Sequence, residues 1–156
     1  LRTIRAAFDA YSPSVTAHNG RLVKAVADTI FGVFETPSDA LSAVLDGHAC
    51  MAAFNSTRTG DICKRVPNAP IYPRAGLGFG DSLLLPDGNL YGSEVNRAFV
   101  LGEDVARDHE VLASACFVDS LGVPPAGVGV HAAPHDREVE SGFPFHIYTD
   151  YRVEDT

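Results

Sequence analysis

Residues 22–34, Leu-Val-Lys-Ala-Val-Ala-Asp-Thr-Ile-Phe-Gly-Val-Phe, constrain the fold more than any other stretch of this chain. They read as two apolar strands, Arg21 to Val26 and Thr29 to Phe34, meeting at a short turn at Ala27-Asp28. Lysine and aspartate are poor strand residues, so a hairpin that carries Lys24 and Asp28 beside its turn needs a reason for both. The chain has only two lysines, Lys24 and Lys64, which makes a strand lysine rarer here than in most proteins.

The elements around the hairpin follow from periodicity and punctuation. Leu1, Ile4, Ala7, Phe8, Tyr11 and Val15 recur at helical spacing up to about His18, with Pro13 expected to kink or interrupt the last turn. Asn19-Gly20 is a turn signal that launches the first strand. Thr36-Pro37-Ser38-Asp39 has the form of a helix start, with a hydroxyl cap, a first-turn proline and an acidic residue at the positive end of the dipole. That helix is predicted to run to about Asn55 and to be followed by a loop over 56–70. Strands are predicted at Ile71 to Gly78, Asp81 to Leu85 and Glu110 to Ala113, with a turn at Pro86-Asp87-Gly88-Asn89. A helix is predicted from Gly92 or Ser93 to about Arg107, and a short one over Ala115 to Leu121. Gly122 to Gly142 carries little regular signal, and Phe143 to Val153 alternates as a terminal strand or hairpin. Such an order suits a single α+β domain over 1–156, with helices packed on one face of a largely antiparallel sheet.

Bulk composition narrows the class. At 156 residues, 46% hydrophobic and 21% charged, the chain is sized for one soluble domain with a real core. A net charge of −8 excludes nucleic-acid binding through a general basic surface, though not the binding of a nucleotide by a few donors. Cys50, Cys63 and Cys116 have neither metal-ligand nor disulfide-framework spacing, so buried or half-buried free thiols in a reducing, cytoplasmic setting are expected. No apolar run reaches the roughly 18 residues that span a bilayer. The chain opens in what reads as mid-helix, so an N-terminally incomplete domain is expected. His131, His135 and Asp136 flank a proline and read as loop residues, and Gly76-x-Gly78-x-Gly80 reads as a place of close backbone approach rather than a phosphate loop.

Lys24-Ala-Val-Ala-Asp28, followed some seventy residues later by Tyr91-Gly-Ser-Glu-Val-Asn96-Arg97-Ala98, resembles the catalytic domain of the class III nucleotidyl (adenylate/guanylate) cyclases over roughly residues 1–121. The resemblance implies a ferredoxin-like, antiparallel-rich sheet that would need one more strand before Leu1. It implies an enzyme that forms a 3′,5′-cyclic nucleotide and pyrophosphate from a nucleoside triphosphate in composite sites of a homodimer. A degenerate cyclase-homology domain acting as a nucleotide-binding or dimerising module is the alternative. By the same resemblance, Asp28 would bind one or both of two divalent ions (Mg²⁺ or Mn²⁺), Lys24 would read the base, and Asn96 would position the ribose. Asn89 stands where adenylate cyclases usually carry an aspartate that accepts from the adenine amino group, and an amide there can accept or donate. Each has a plainer reading: Asp28 and Asn89 as turn formers, Lys24 as a solvated strand lysine, Asn96 as an ordinary helix residue.

Several positions depart from the family pattern. Ala27 replaces a glycine, and the second metal-binding aspartate would lie on a strand upstream of Leu1. Val100 stands four residues after Asn96, where the family places a phosphate-binding arginine. No lysine follows Lys64, leaving Arg137 and Arg152 as the late cations able to reach a triphosphate.

Overall fold

A computed structural model describes residues 2–59 and 70–153. The elements in chain order are α1 (Arg2–Ala17), β1 (Arg21–Val26), β2 (Thr29–Val33), α2 (Pro37–Thr59), β3 (Ala75–Leu77), β4 (Leu83–Leu84), β5 (Leu90–Tyr91) and α3 (Ser93–Phe99). A π-helical segment (Val100–Val105) continues α3, followed by β6 (Val111–Ser114), α4 (Ala115–Leu121), β7 (Val128–Ala132), α5 (His135–Ser141), β8 (Phe145–Asp150) and a final 3₁₀ turn (Tyr151–Val153).

The hairpin forms as expected, with Ala25 opposite Ile30 and Val26 opposite Thr29. Its register shifts between Leu22 and Lys24, a bulge that turns the strand and re-aims the side chains around it. The main sheet has the order β3-β6-β8-β7: β3 runs parallel to β6, and β8 runs antiparallel to both β6 and β7. Strands β4 and β5 form a separate small ribbon.

Alternation along β6 and β8 divides the core in two. Val111, Ala113 and Tyr148 pack on one face with Leu41 and Leu45 of α2 and Phe117 of α4. On the other face, Leu112 and Phe145 pack with Leu101 and Val105 of the π segment and with Ala133. Helix α1 lies along α2, and a Cβ on Gly47 would stand 2.3 Å from the Tyr11 ring, so the glycine is what admits the tyrosine. Thr36 caps α2, its hydroxyl accepting from the Asp39 N–H at 3.1 Å.

Several expectations change. Pro13 sits inside an unbroken α1: both it and Asp9, whose carbonyl loses its helical donor, are exposed, so water can satisfy that group. Helix α2 continues to Thr59 rather than stopping at Asn55, while residues 60–69 of the expected loop, with Cys63 and Lys64, lie outside the described residues. The strands predicted over Ile71 to Gly78 and Asp81 to Leu85 contract to three and two residues. The segment read as irregular contains β7 and α5: β7 pairs with β8, and Pro134 precedes α5, where its missing N–H costs nothing. His131 therefore lies on a strand and His135 opens a helix. Cys50 and Cys116 are free thiols but exposed, not buried, because each falls on the outer face of its helix. No helix among the described residues is long and apolar enough to cross a membrane.

Candidate functional site

Helix α3 is held against β3 by close backbone approach. A Cβ on Gly76 would lie 2.0 Å from the Ala98 carbonyl oxygen, and one on Gly78 would lie 2.4 Å from that of Glu94. The glycine run is therefore a packing surface, as its spacing along the strand suggested. Glu94 anchors the first turn of α3 from below. Its carboxylate accepts from Ser114 Oγ at 2.5 Å, Arg97 Nη1 at 2.8 Å and the Phe79 N–H at 3.2 Å. Burial alone would raise its pKa, but these hydrogen bonds and the Arg97 charge prevail and hold it below the usual carboxylate value. Arg97 is thereby turned from the pocket, its guanidinium 5.5 Å from the centre of the Phe143 ring.

With α3 fixed, a cavity of about 170 Å³ opens between the hairpin, the β4–β5 turn and α3. Its polar lining is Lys24, Asn89 and Asn96, contributed by three separate elements. Phe31 and Phe99 stack across it with centroids 6.0 Å apart and planes 4° from parallel, and Tyr91 and Val95 complete the apolar wall. Val23 and Lys24 both line it although they are consecutive, which strict strand alternation forbids and the bulge allows.

Lys24 Nζ donates to Asn89 Oδ1 at 3.2 Å. Asn89 is further tied to Asp87, whose Oδ1 accepts from the Asn89 backbone N–H and whose Oδ2 accepts from Asn89 Nδ2, both at 2.9 Å. Gly88 makes the turn possible at φ 88°, and a Cβ there would come within 3.3 Å of the Val23 carbonyl. Asn96 is exposed, and its side chain takes no hydrogen bond from the described residues.

Asp28 does not line this cavity. It is exposed in the hairpin turn beside Ala27, which adopts a left-handed φ of 53°, and its carboxylate has no partner among the described residues. The following residue, Thr29, hydrogen-bonds Glu103 of the π segment. Among the described residues no three His, Cys, Asp or Glu side chains cluster as a metal centre. Val100 packs against the Leu101–Phe145 side of the core rather than facing the pocket. Neither late arginine is free: Arg137 is buried in a two-pronged pair with Glu110 at 2.6 and 2.8 Å, and Arg152 pairs with Asp150 at 2.9 Å.

Residue reasoning on the sequence left out Phe31, Phe99 and Asp87. Phe99 follows Asn96 by three positions, the spacing of one helix face, and that signal could have found it. Nothing local could have placed Phe31 opposite it.

This architecture is the cyclase fold: the chain is a cyclase-like α+β domain. An adenylate/guanylate cyclase/hydrolase from Silicibacter pomeroyi matches with a TM-score of 0.59 at 20% identity, over 88% of this chain and 74% of that one. The guanylyl cyclase Cya2 matches with a TM-score of 0.67 at 14% identity, over 94% and 77%. An adenylate cyclase from Trypanosoma brucei, solved in its monomeric state, matches with a TM-score of 0.63 at 16% identity, over 99% and 80%. No family model matches the sequence, and no curated protein does.

Proposed function

We propose that the domain is a nucleotidyl cyclase whose sites form between two copies of the chain. The observation that carries this reading is the convergence of Lys24, Asn89 and Asn96 on one pocket within a cyclase fold. In the reaction the ribose 3′-oxygen attacks the α-phosphorus in line. The new O3′–P bond replaces the bond to the β-phosphate bridge, pyrophosphate leaves, and the hydroxyl proton passes to solvent. Lys24 and Asn89 meet the base edge, the aromatic walls hold its faces, and Asn96 orients the ribose.

The pocket's size argues for a partner. About 170 Å³ is well below the roughly 300–1,000 Å³ of ordinary ligand pockets, so one copy has room for a base but not a whole nucleotide. Leu83, Tyr91 and Phe99 stand exposed beside the opening, and Leu22 and Val26 on the hairpin, an apolar rim suited to a second copy.

Asp28 fits a divalent ion as one hard oxygen ligand: it is exposed and unpartnered, and Mg²⁺ commonly takes only one or two protein carboxylates besides phosphate oxygens. Such an ion, when bound, would neutralise phosphate charge.

A second reading is a nucleotide-binding or dimerising module without turnover. It is favoured by the inward packing of Val100 and the occupied Arg137 and Arg152, which leave Lys24 as the pocket's one cation among the described residues. The test is incubation of the chain with ATP, GTP, UTP or CTP and Mn²⁺, with products read by mass spectrometry. A cyclic nucleotide that disappears in Asp28→Ala establishes the cyclase; saturable nucleotide binding by a dimer without product establishes the module.

A further inference from the structure

We infer that Asp87 is a positioning residue that locks the Asn89 amide as an acceptor, so that the pocket selects 6-amino over 6-oxo purines. The inference rests on the nucleotide-site reading above and goes beyond it by naming the base class and the residue that enforces it.

An asparagine amide can turn over and exchange its donor for its acceptor, which would let one side chain serve either kind of base edge. Here its two neighbours forbid that. Lys24 has only donors and stands 3.2 Å from Oδ1, while the Asp87 carboxylate has only acceptors and stands 2.9 Å from Nδ2. Turning the amide would set NH₂ against ammonium and carbonyl against carboxylate, so a single orientation survives. Asp87 is bound to the task by its other oxygen, which accepts the Asn89 backbone N–H at 2.9 Å and fixes both residues in one turn.

The locked pair then offers a base one acceptor, the second lone pair of Asn89 Oδ1, beside the remaining ammonium donors of Lys24. The 6-amino purine edge presents one exocyclic donor group beside one ring acceptor and is met completely. A 6-oxo, 2-amino purine presents two donor groups and one acceptor, and leaves a donor facing the apolar wall of Phe31, Val95 and Phe99.

Asp87→Asn separates the lock from the turn. The new side-chain carbonyl still accepts the backbone N–H of residue 89, but the acceptor that held Nδ2 is gone. Calorimetric titration of the full chain with 3′-deoxy-ATP and 3′-deoxy-GTP, which lack the attacking hydroxyl, reads the base preference without turnover. The unmodified chain is expected to prefer 3′-deoxy-ATP by about tenfold, the worth of one unpaired polar group. Asp87→Asn is expected to bring the two affinities within about twofold while its melting temperature is unchanged, since Asp87 is exposed. If the unmodified chain binds both equally, or Asp87→Asn keeps the preference, the lock is overturned and the nucleotide site stands. If it binds neither, the nucleotide site itself is overturned.

Discussion

Arg137 and Lys24 are both cations on this sheet-and-helix scaffold, yet one is enclosed and the other open. Arg137 has its guanidinium buried, forked onto Glu110, bonded to the Val105 carbonyl at 3.1 Å and set 5.7 Å from the Phe145 ring centre. Lys24 is exposed and has one hydrogen bond, to an uncharged amide. The enclosed arginine uses its charge to join α5, the π segment and the start of β6 into one body. The open lysine keeps most of its donors for something that is not part of the fold. In this domain a satisfied charge marks structure, and an incompletely satisfied one marks the pocket.

The sharpest way to break that contrast is Arg137→Met. It strands the Glu110 carboxylate beside buried apolar groups and is expected to cost about 3–5 kcal/mol, read from urea unfolding midpoints. Lys24→Met should stay within about 0.5 kcal/mol of the parent, because nothing buried depends on it. Equal losses from the two would erase the distinction.

Acid tests the enclosed side differently. Burial pushes the His48 pKa down to about 4 from an ordinary 6.5, and the ring meets the Tyr11 hydroxyl at 3.2 Å. A base whose folded pKa is lowered contributes its full stability above pH 6.5, and that contribution drains as the pH falls towards 4. The loss should reach on the order of 3 kcal/mol by pH 4, and His48→Gln should flatten the slope over that interval. Glu94 and Glu110 are desolvated, which would raise them, but their hydrogen bonds to Ser114, Arg97 and Arg137 hold both below the ordinary 4.5. Their contribution is complete above that value and is lost only below it, so the His48 slope comes first. A profile flat from pH 7 down to 4.5 would contradict this order.

The smallest effect belongs to the open side. Ala27 stands at φ 53°, a conformation costly for any residue with a Cβ. Ala27→Gly relieves that strain at some cost in chain entropy and should stabilise the domain by about 0.5–1 kcal/mol in the same urea assay. A net loss would mean the hairpin tip is not strained.

What was legible in the sequence was local. The hairpin, the Thr36 cap, the Asp87–Asn89 turn and the glycine contacts under α3 each follow from a few adjacent residues whose preferences agree. What escaped depends on partners far along the chain. Strand β7 has weak strand character of its own, with a glycine among its five residues, and exists because β8 offers it a ladder. The pairing of Arg137 with Glu110 spans 27 residues and that of Lys24 with Asn89 spans 65, distances over which composition carries no information. The site residues themselves were partly visible. Lys24, Asn89 and Asn96 meet in one cavity, whereas Asp28 stands apart at the hairpin tip. The bulge that brings Lys24 into the cavity had no signature beforehand.

The π segment also changes how spacing is to be counted. Where the Ala106 N–H reaches back five residues to the Leu101 carbonyl, the helix holds one more residue per turn than the α-helical count assumes. Removing a single residue between Val100 and Val105 would restore the ordinary winding and rotate all that follows by about 100° about the axis. Leu101 and Val105 could not both keep their core positions after such a deletion. Single-residue length changes in homologous chains should therefore be read here as shifts of phase, since one inserted residue exchanges a pocket-facing position for a core-facing one without any substitution.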